Sequence, residues 1–295
     1  IKYCETHECE ECVLFNGQYY DDYRTKYEKT VLHIPCYINL LNKGAKFRNN
    51  GFLSLRLCTF VTLKLIPMNK LLKIAHRGAK AYEPENTLQA FQKALDLNSD
   101  GIELDVHLSA DGDITVMHDE TIDKMTNGKG DINTYTLAEL KSFLIADKLQ
   151  IPTLNEVFDL VDKKCFINVE LKNADTSKNV ISLIEKYIAE KSWNYEHFII
   201  SSFDWNALKE VHNLNPNIPI GVLTEENIDT ALAFAESIKA KAIHPDFHLL
   251  NSENTKEIQE KGFLVFPWTV NSVEDIQKVK SYNVNGIISD NPDKI

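Results

Sequence analysis

From residue 70 to the end, short apolar runs alternate with longer amphipathic stretches. Leu71-Leu72-Lys73-Ile74-Ala75 reads as a short buried strand. Thr87–Leu97 reads as a helix, with Leu88, Phe91, Ala94 and Leu95 on its apolar face. Ile102–Leu108 is the next strand, and the turn Ala110-Asp111-Gly112-Asp113 returns it through Ile114–Met117 as a hairpin. Residues 119–150 are polar, with Asn127-Gly128 and Lys129-Gly130, and predict one helix near Leu137–Phe143. The alternation then resumes. Helices are expected over Leu154–Val161 (capped by Thr153), Ser177–Glu190, Trp205–Asn213, Ile228–Ile238, Ser252–Lys261 and Val273–Lys280. Between them, strands are expected over Cys165–Leu171, His197–Ser201, Ile218–Leu223, Ala242–His244, Phe263–Pro267 and Gly286–Ile288.

Eight strands separated by helices predict an α/β TIM (β/α)8 barrel with a small insertion, 119–150, after the hairpin of the second strand. A doubly wound open sheet could carry the same alternation. It would more often show a glycine-rich loop after its first strand, and no G-x-G-x-x-G occurs there. The pattern shows no helix after the eighth strand, which puts closure of the barrel in doubt.

Residues 1–67 do not follow this alternation and are expected to form an irregular N-terminal extension. Five of the six cysteines lie there, and the charge changes at the same place. Nine Lys/Arg face seven Asp/Glu before residue 68, against 23 and 36 after it. Cys4, Cys9 and Cys12 around His7 suggest a zinc site only superficially, because a closed site needs a second ligand pair. The apolar run Phe52–Ile66 contains Arg56 and Lys64 and is too short to span a bilayer. We therefore expect Met68 to be the natural start, with 1–67 upstream translation or a vestigial extension and 68–295 the functional domain. One remaining cysteine, Cys165, suits a reducing compartment, so the cytoplasm is the expected location. With 43% hydrophobic and 25% charged residues the chain excludes collagen and coiled coil. Its net charge of −11 argues against a nucleic-acid partner. Nothing in the sequence predicts stable membrane insertion, and oligomeric state is not readable from it.

In such a barrel, chemistry gathers at the C-terminal ends of strands. The first strand ends in His76-Arg77-Gly78. The second carries Glu103, Asp105 and His107 on one face, and its hairpin ends in His118-Asp119. The third carries Asn168, Glu170 and Lys172 on one face. Three carboxylates so close together would be costly to bury without a cation. A divalent ion on Glu103, Asp105 and Glu170 removes that cost, and all-oxygen ligation favours Mg²⁺, Ca²⁺ or Mn²⁺ over zinc. Arg77 and Lys172 add fixed positive charge suited to phosphate. His76 and His118 titrate in the range that proton transfer near neutrality needs. His107 shares the face of Asp105, but a role supporting the site is expected rather than ligation. Trp268 is either barrel packing or an aromatic wall for the apolar side of a substrate.

These residues, taken in order, resemble the glycerophosphodiester phosphodiesterase family. The likeness begins with Ile74-Ala75-His76-Arg77-Gly78 and Glu83-Pro84-Glu85-Asn86-Thr87. It continues through Gly101-Ile102-Glu103-Leu104-Asp105-Val106, Asp111-Gly112, Val116-Met117-His118-Asp119 and Ile151-Pro152-Thr153-Leu154. It ends with Asn168-Val169-Glu170-Leu171-Lys172, Ser202-Phe203, Trp268-Thr269-Val270-Asn271 and Gly286-Ile287-Ile288-Ser289-Asp290. The resemblance covers about residues 70–292 and offers nothing for 1–67. It implies a TIM barrel with an insertion after the second strand's hairpin, and one divalent cation on Glu103, Asp105 and Glu170. It also implies acid/base roles for His76 and His118.

The expected reaction is hydrolysis of a small glycerophosphodiester, such as glycerophosphocholine or glycerophosphoethanolamine, to glycerol 3-phosphate and an alcohol. The resemblance suggests attack by the substrate's own 2-hydroxyl through a cyclic phosphate. Alternatives are a lysophospholipid or phosphoinositide phosphodiesterase of the same fold, which would want an apolar rim that the polar insertion lacks, and a non-catalytic binding barrel.

Overall fold

The computed structural model describes residues 70–295. The cysteine cluster, the apolar run Phe52–Ile66 and the boundary expected at Met68 lie outside the described residues.

The barrel begins with β1 (Leu72–Ala75), followed by α1 (Leu88–Asp96). Next come β2 (Gly101–Leu108) and β3 (Ile114–Val116), which pairs antiparallel with β2. The insertion holds α2 (Leu137–Leu140) and a two-rung hairpin of β4 (Leu144–Ile145) and β5 (Leu149–Gln150). The alternation returns with α3 (Leu154–Val161), β6 (Phe166–Leu171), α4 (Ser177–Lys191) and β7 (Phe198–Ser202). It goes on with α5 (Trp205–Leu214), β8 (Ile220–Thr224), α6 (Ile228–Ser237) and β9 (Ala242–Pro245). The last elements are α7 (Ser252–Glu260), β10 (Leu264–Val265), α8 (Val273–Ser281) and β11 (Gly286–Ser289).

Eight parallel strands run in the order β10-β9-β8-β7-β6-β2-β1-β11. Consecutive staves of one barrel wall are neighbours in this order, with no reversal about a central strand. The doubly wound alternative therefore falls. The ends of the order are joined as well. Asn285 N donates to Val265 O at 3.1 Å and Ile288 N to Pro267 O at 2.9 Å. The Asn285 side chain completes the seam, its Oδ1 accepting from Val265 N and from Gln259 Nε2, each at 2.9 Å. Closure needs no eighth outer helix. Only a 3-10 turn, Pro292–Lys294, follows β11.

Alternation along each strand decides what faces inward. Ile102, Leu104 and Val106 of β2 and Ile167, Val169 and Leu171 of β6 point outward into the main core shared with the helices. The opposite positions point into the barrel. Its floor is apolar, built from Ile74, Ile199, Ala242, Phe266 and Ile288, with the Phe166 and Phe266 rings stacked at 6.4 Å. The insertion has a small core of its own, including Met117, Ile122, Ile132, Leu140 and Ile151, so it forms a packed knob beside the mouth. Side-chain caps start the helices after several strands: Thr87 accepts from Ala90 N, Asp204 from Asn206 N and Ser272 from Asp275 N.

Candidate active site

The site grows out of a left-handed turn at the end of β1. Arg77 has φ 53° and Gly78 φ 81°. A Cβ at Gly78 would lie 2.7 Å from Ala90, so glycine is required for both conformation and space. Arg77 adopts the left-handed region without that freedom, a local cost that marks a constrained position. The turn aims Arg77 N at Glu103 Oε2, 2.8 Å away, and brings Nη1 to Glu85 Oε1 at 2.7 Å and Nε within 3.3 Å of Asp105 Oδ2. Asn86, also left-handed at φ 56°, donates from Nδ2 to Asp105 Oδ2 at 2.8 Å.

The parallel register of β2 and β6 sets Asp105 directly beside Glu170, with Glu103 one inward position below Asp105. One oxygen from each of the three carboxylates lies within 4.8 Å of the others, and all three residues are at least nine-tenths buried. Lys172 Nζ bridges Asp105 Oδ1 at 2.8 Å and Glu170 Oε1 at 2.6 Å. Burial works against ionisation of Asp105, yet Lys172 and Arg77 hold it well below the usual carboxylate range. Burial and the neighbouring Asp105 push Glu170 up to about 7. Burial, Asp105 and Glu170 together push Glu103 well above its ordinary value. The protein's own cations thus compensate one carboxylate fully and leave the other two strained towards the neutral form. This all-oxygen cluster could hold a hard divalent cation, whose charge would relieve that strain.

A histidine stands on either side. His76 Nδ1 lies 2.6 Å from Asp290 Oδ1, and His118 Nδ1 2.6 Å from Asp119 Oδ1. A carboxylate at Nδ1 keeps the proton there and leaves Nε2 as the free nitrogen. His76 Nε2 is 4.0 Å from Glu103 Oε2. Burial lowers the pKa of both imidazoles, while Asp290 opposes the shift at His76 and Asp105 does so at His118. His107 is turned away: its Nε2 donates to the carbonyl of His118 at 3.1 Å. It braces that loop and does not join the carboxylates.

His76, Arg77, Glu103, His118, Glu170, Lys172 and Trp268 all line one cavity of about 220 Å³, and Asp105 lies buried behind it against Arg77 and Lys172. The Trp268 indole donates from Nε1 to His244 O at 2.8 Å and meets the Phe203 ring edge-to-face at 5.4 Å. Trp268 therefore lines the cavity and also packs on the apolar floor of the barrel. Sequence reasoning gave no role to Asp290, Asp119, Glu85, Asn86, Phe203 or Glu225. The signal for Asp290 was present in the topology, because closure of a barrel places the last strand beside the first.

The profile of the glycerophosphoryl diester phosphodiesterase family matches residues 76–294. The chain belongs to that family. A glycerophosphodiester phosphodiesterase of Caldanaerobacter subterraneus subsp. tengcongensis is 39% identical over 236 residues, spanning 77% of this chain and 96% of that protein. One of Bacillus subtilis is 34% identical over 253 residues, spanning 78% and 86%. Among solved structures, the glycerophosphodiester phosphodiesterase of Thermotoga maritima superposes with a TM-score of 0.66 at 30% identity, covering 75% of this chain and 96% of that one. An Oleispira antarctica phosphodiesterase in complex with the product sn-glycerol-3-phosphate superposes with a TM-score of 0.69 at 27% identity, covering 75% and 94%. This chain is accordingly a glycerophosphodiester phosphodiesterase by family, a phosphoric diester hydrolase. Among the described residues no helix is long and apolar enough to cross a membrane.

Proposed function

We propose that the protein hydrolyses glycerophosphodiesters of small alcohols, such as choline or ethanolamine, to glycerol 3-phosphate and the alcohol. A divalent cation, Mg²⁺, Ca²⁺ or Mn²⁺, would be held by Glu103, Asp105 and Glu170. The observation that carries this reading is the convergence of three buried carboxylate oxygens within 4.8 Å between two histidines whose Nδ1 atoms are already satisfied. The product bound in the Oleispira structure supports the glycerol 3-phosphate half of the assignment. A cytoplasmic setting fits the single free and buried thiol among the described residues, Cys165.

When bound, the cation supplies positive charge to a phosphate oxygen and to the carboxylates that hold it. The remaining work belongs to the chain. Arg77 and Lys172 each offer donor capacity beyond their carboxylate partners and orient the remaining phosphate oxygens. Asp290 and Asp119 hold the two imidazoles with Nε2 free. One Nε2 takes the proton of the attacking 2-hydroxyl of the glycerol and the other returns a proton to the leaving alkoxide; water, activated in the reverse sense, then opens the cyclic phosphate to glycerol 3-phosphate. Glu85 and Asn86 fix Arg77 and Asp105 in place.

The test is release of glycerol 3-phosphate from glycerophosphocholine by the chelated protein, after re-addition of each metal in turn. Activity that vanishes on chelation and returns with one or more of the three ions is expected. Full activity in excess chelator would overturn the metal-dependent reading. Lysophosphatidylcholine run alongside separates a small-molecule enzyme from one that acts on lipids.

A further inference from the structure

Each imidazole of the site leans on a carboxylate, and the two carboxylates are themselves held very differently. Asp119 sits next to His118 in the chain. Apart from that ring, its side chain pairs among the described residues only with the largely exposed Lys124, at 3.7 Å. Asp290 is gripped from its far side. Asn271, in the loop between β10 and α8, donates from Nδ2 to Asp290 Oδ2 at 2.9 Å. Its Oδ1 accepts from Asp290 N, also at 2.9 Å, and from Ser289 Oγ at 3.1 Å. One amide thus holds the main chain and the side chain of the same residue. Asp290 Oδ1 is left to His76 Nδ1, 2.6 Å away. The loop that carries Asn271 is tied to β11 in its turn, with Val270 N donating to Ile288 O at 3.0 Å.

An unrestrained aspartate turns about χ1 among three staggered wells, and not every well directs a carboxylate oxygen at a given neighbour. Contacts at both ends of the Asp290 side chain select one well. Keeping the loop in place needs only the acceptor, Oδ1. The donor, Nδ2, has no partner among the described residues except the Asp290 carboxylate. We infer that Asn271 is a positioning residue for proton transfer: its two-ended grip fixes the Asp290 side chain and, through it, the ring of His76. The inference rests on the phosphodiesterase reading above and adds a residue to it. Asn271 does not line the cavity, so it acts through Asp290 and His76. Proton transfer depends on how donor and acceptor are aligned, and a misaligned ring costs turnover more than binding.

The test compares Asn271→Asp and Asn271→Ala with the wild type on glycerophosphocholine, in the full chain with its activating metal. Asn271→Asp keeps an oxygen for Asp290 N and Ser289 Oγ and removes only the donor, whereas Asn271→Ala removes all three contacts. Both should lower kcat by about threefold to thirtyfold, with KM and calorimetric metal affinity within about twofold of wild type. In an Asp290→Asn background, Asn271→Ala should cost less than about twofold more, because a residue that acts through Asp290 has nothing left to hold. The low-field proton resonance of the His76–Asp290 hydrogen bond, assigned by its loss in Asp290→Asn, should shift or broaden in both variants. Normal kcat in Asn271→Asp beside an impaired Asn271→Ala would reduce the asparagine to a tie for the loop and overturn the inference. Full additivity with Asp290→Asn would overturn it too, as would a rise in KM that matches the fall in kcat. The resonance separates this inference from the reaction itself. If the wild type hydrolyses no glycerophosphodiester and the resonance still responds to Asn271→Asp, the reaction is overturned and the grip stands. A resonance unmoved in both variants overturns the grip even in a fully active enzyme.

Discussion

The two halves of the barrel mouth solve different problems with the same backbone. Along β11, β1, β2 and β6, inward positions hold charged groups that are stable only because each is engaged by another. Glu85 and Asp105 hold Arg77, Asp105 and Glu170 hold Lys172, and Asp290 holds His76. Along β7 to β10 the inward groups within the strands are neutral, and the one carboxylate on this side of the cavity, Glu225, lies beyond the end of β8. His244, fully buried against the Phe266 ring, has no hydrogen-bond partner at either ring nitrogen, and burial lowers its pKa to about 3. It behaves as an uncharged aromatic, and Gly221 makes room for it: a Cβ there would lie 2.4 Å from the imidazole. One arc spends folding stability to concentrate charge, and the other supplies ordinary packing that keeps the barrel together.

The sharpest way to break this contrast is to remove a carboxylate from the charged arc. Glu103→Gln should lower turnover about 10³-fold or more and weaken metal binding measured by titration calorimetry. His118→Ala and His76→Ala should each cost about 10²–10⁴-fold in turnover, followed by glycerol 3-phosphate release. Near-normal turnover in either would remove that histidine from proton transfer. Asp290→Asn keeps the shape but not the charge at Nδ1 of His76, and a loss of about 10–100-fold is expected with KM little changed.

A smaller effect is expected in the thermal stability of the chelated protein. Glu170, raised to about 7 when folded, contributes stability that is present below its unfolded value and lost as pH rises through 7. The Tm of the metal-free protein should therefore fall as pH rises from about 4.5 to about 7 and level off above that, and added metal should reverse the fall. Asp105, shifted the other way, sets an opposite loss only in strong acid. The smallest change belongs to the neutral arc. His244→Met should move Tm by no more than a few degrees and leave the pH profile of turnover unaltered.

Much of the charged arc was legible in the sequence because strand alternation is local. Glu103 and Asp105 at i and i+2, and Asn168 and Glu170 likewise, announce an inward polar face by spacing alone. Eight strands and the hairpin return were legible for the same reason. What escaped depends on contacts between distant segments. Asp290 meets His76 across 214 residues. Asn86 reaches Asp105 only because Asn86 and Arg77 both adopt left-handed conformations. The strand expected over Phe263–Pro267 shrinks to Leu264–Val265, and Trp268 pairs with Asp246 by a lone bridge. The hairpin of β4 and β5 was missed because two-residue strands carry no period.

The short β10 has a consequence of its own. Where β2 and β6 share a ladder of six residue pairs, the joint between β10 and β11 is held by a few main-chain bonds and the amide of Asn285. This loosely laddered joint leads up to Trp268, which follows β10. Amide protons along this joint should exchange with deuterium ahead of those between β2 and β6.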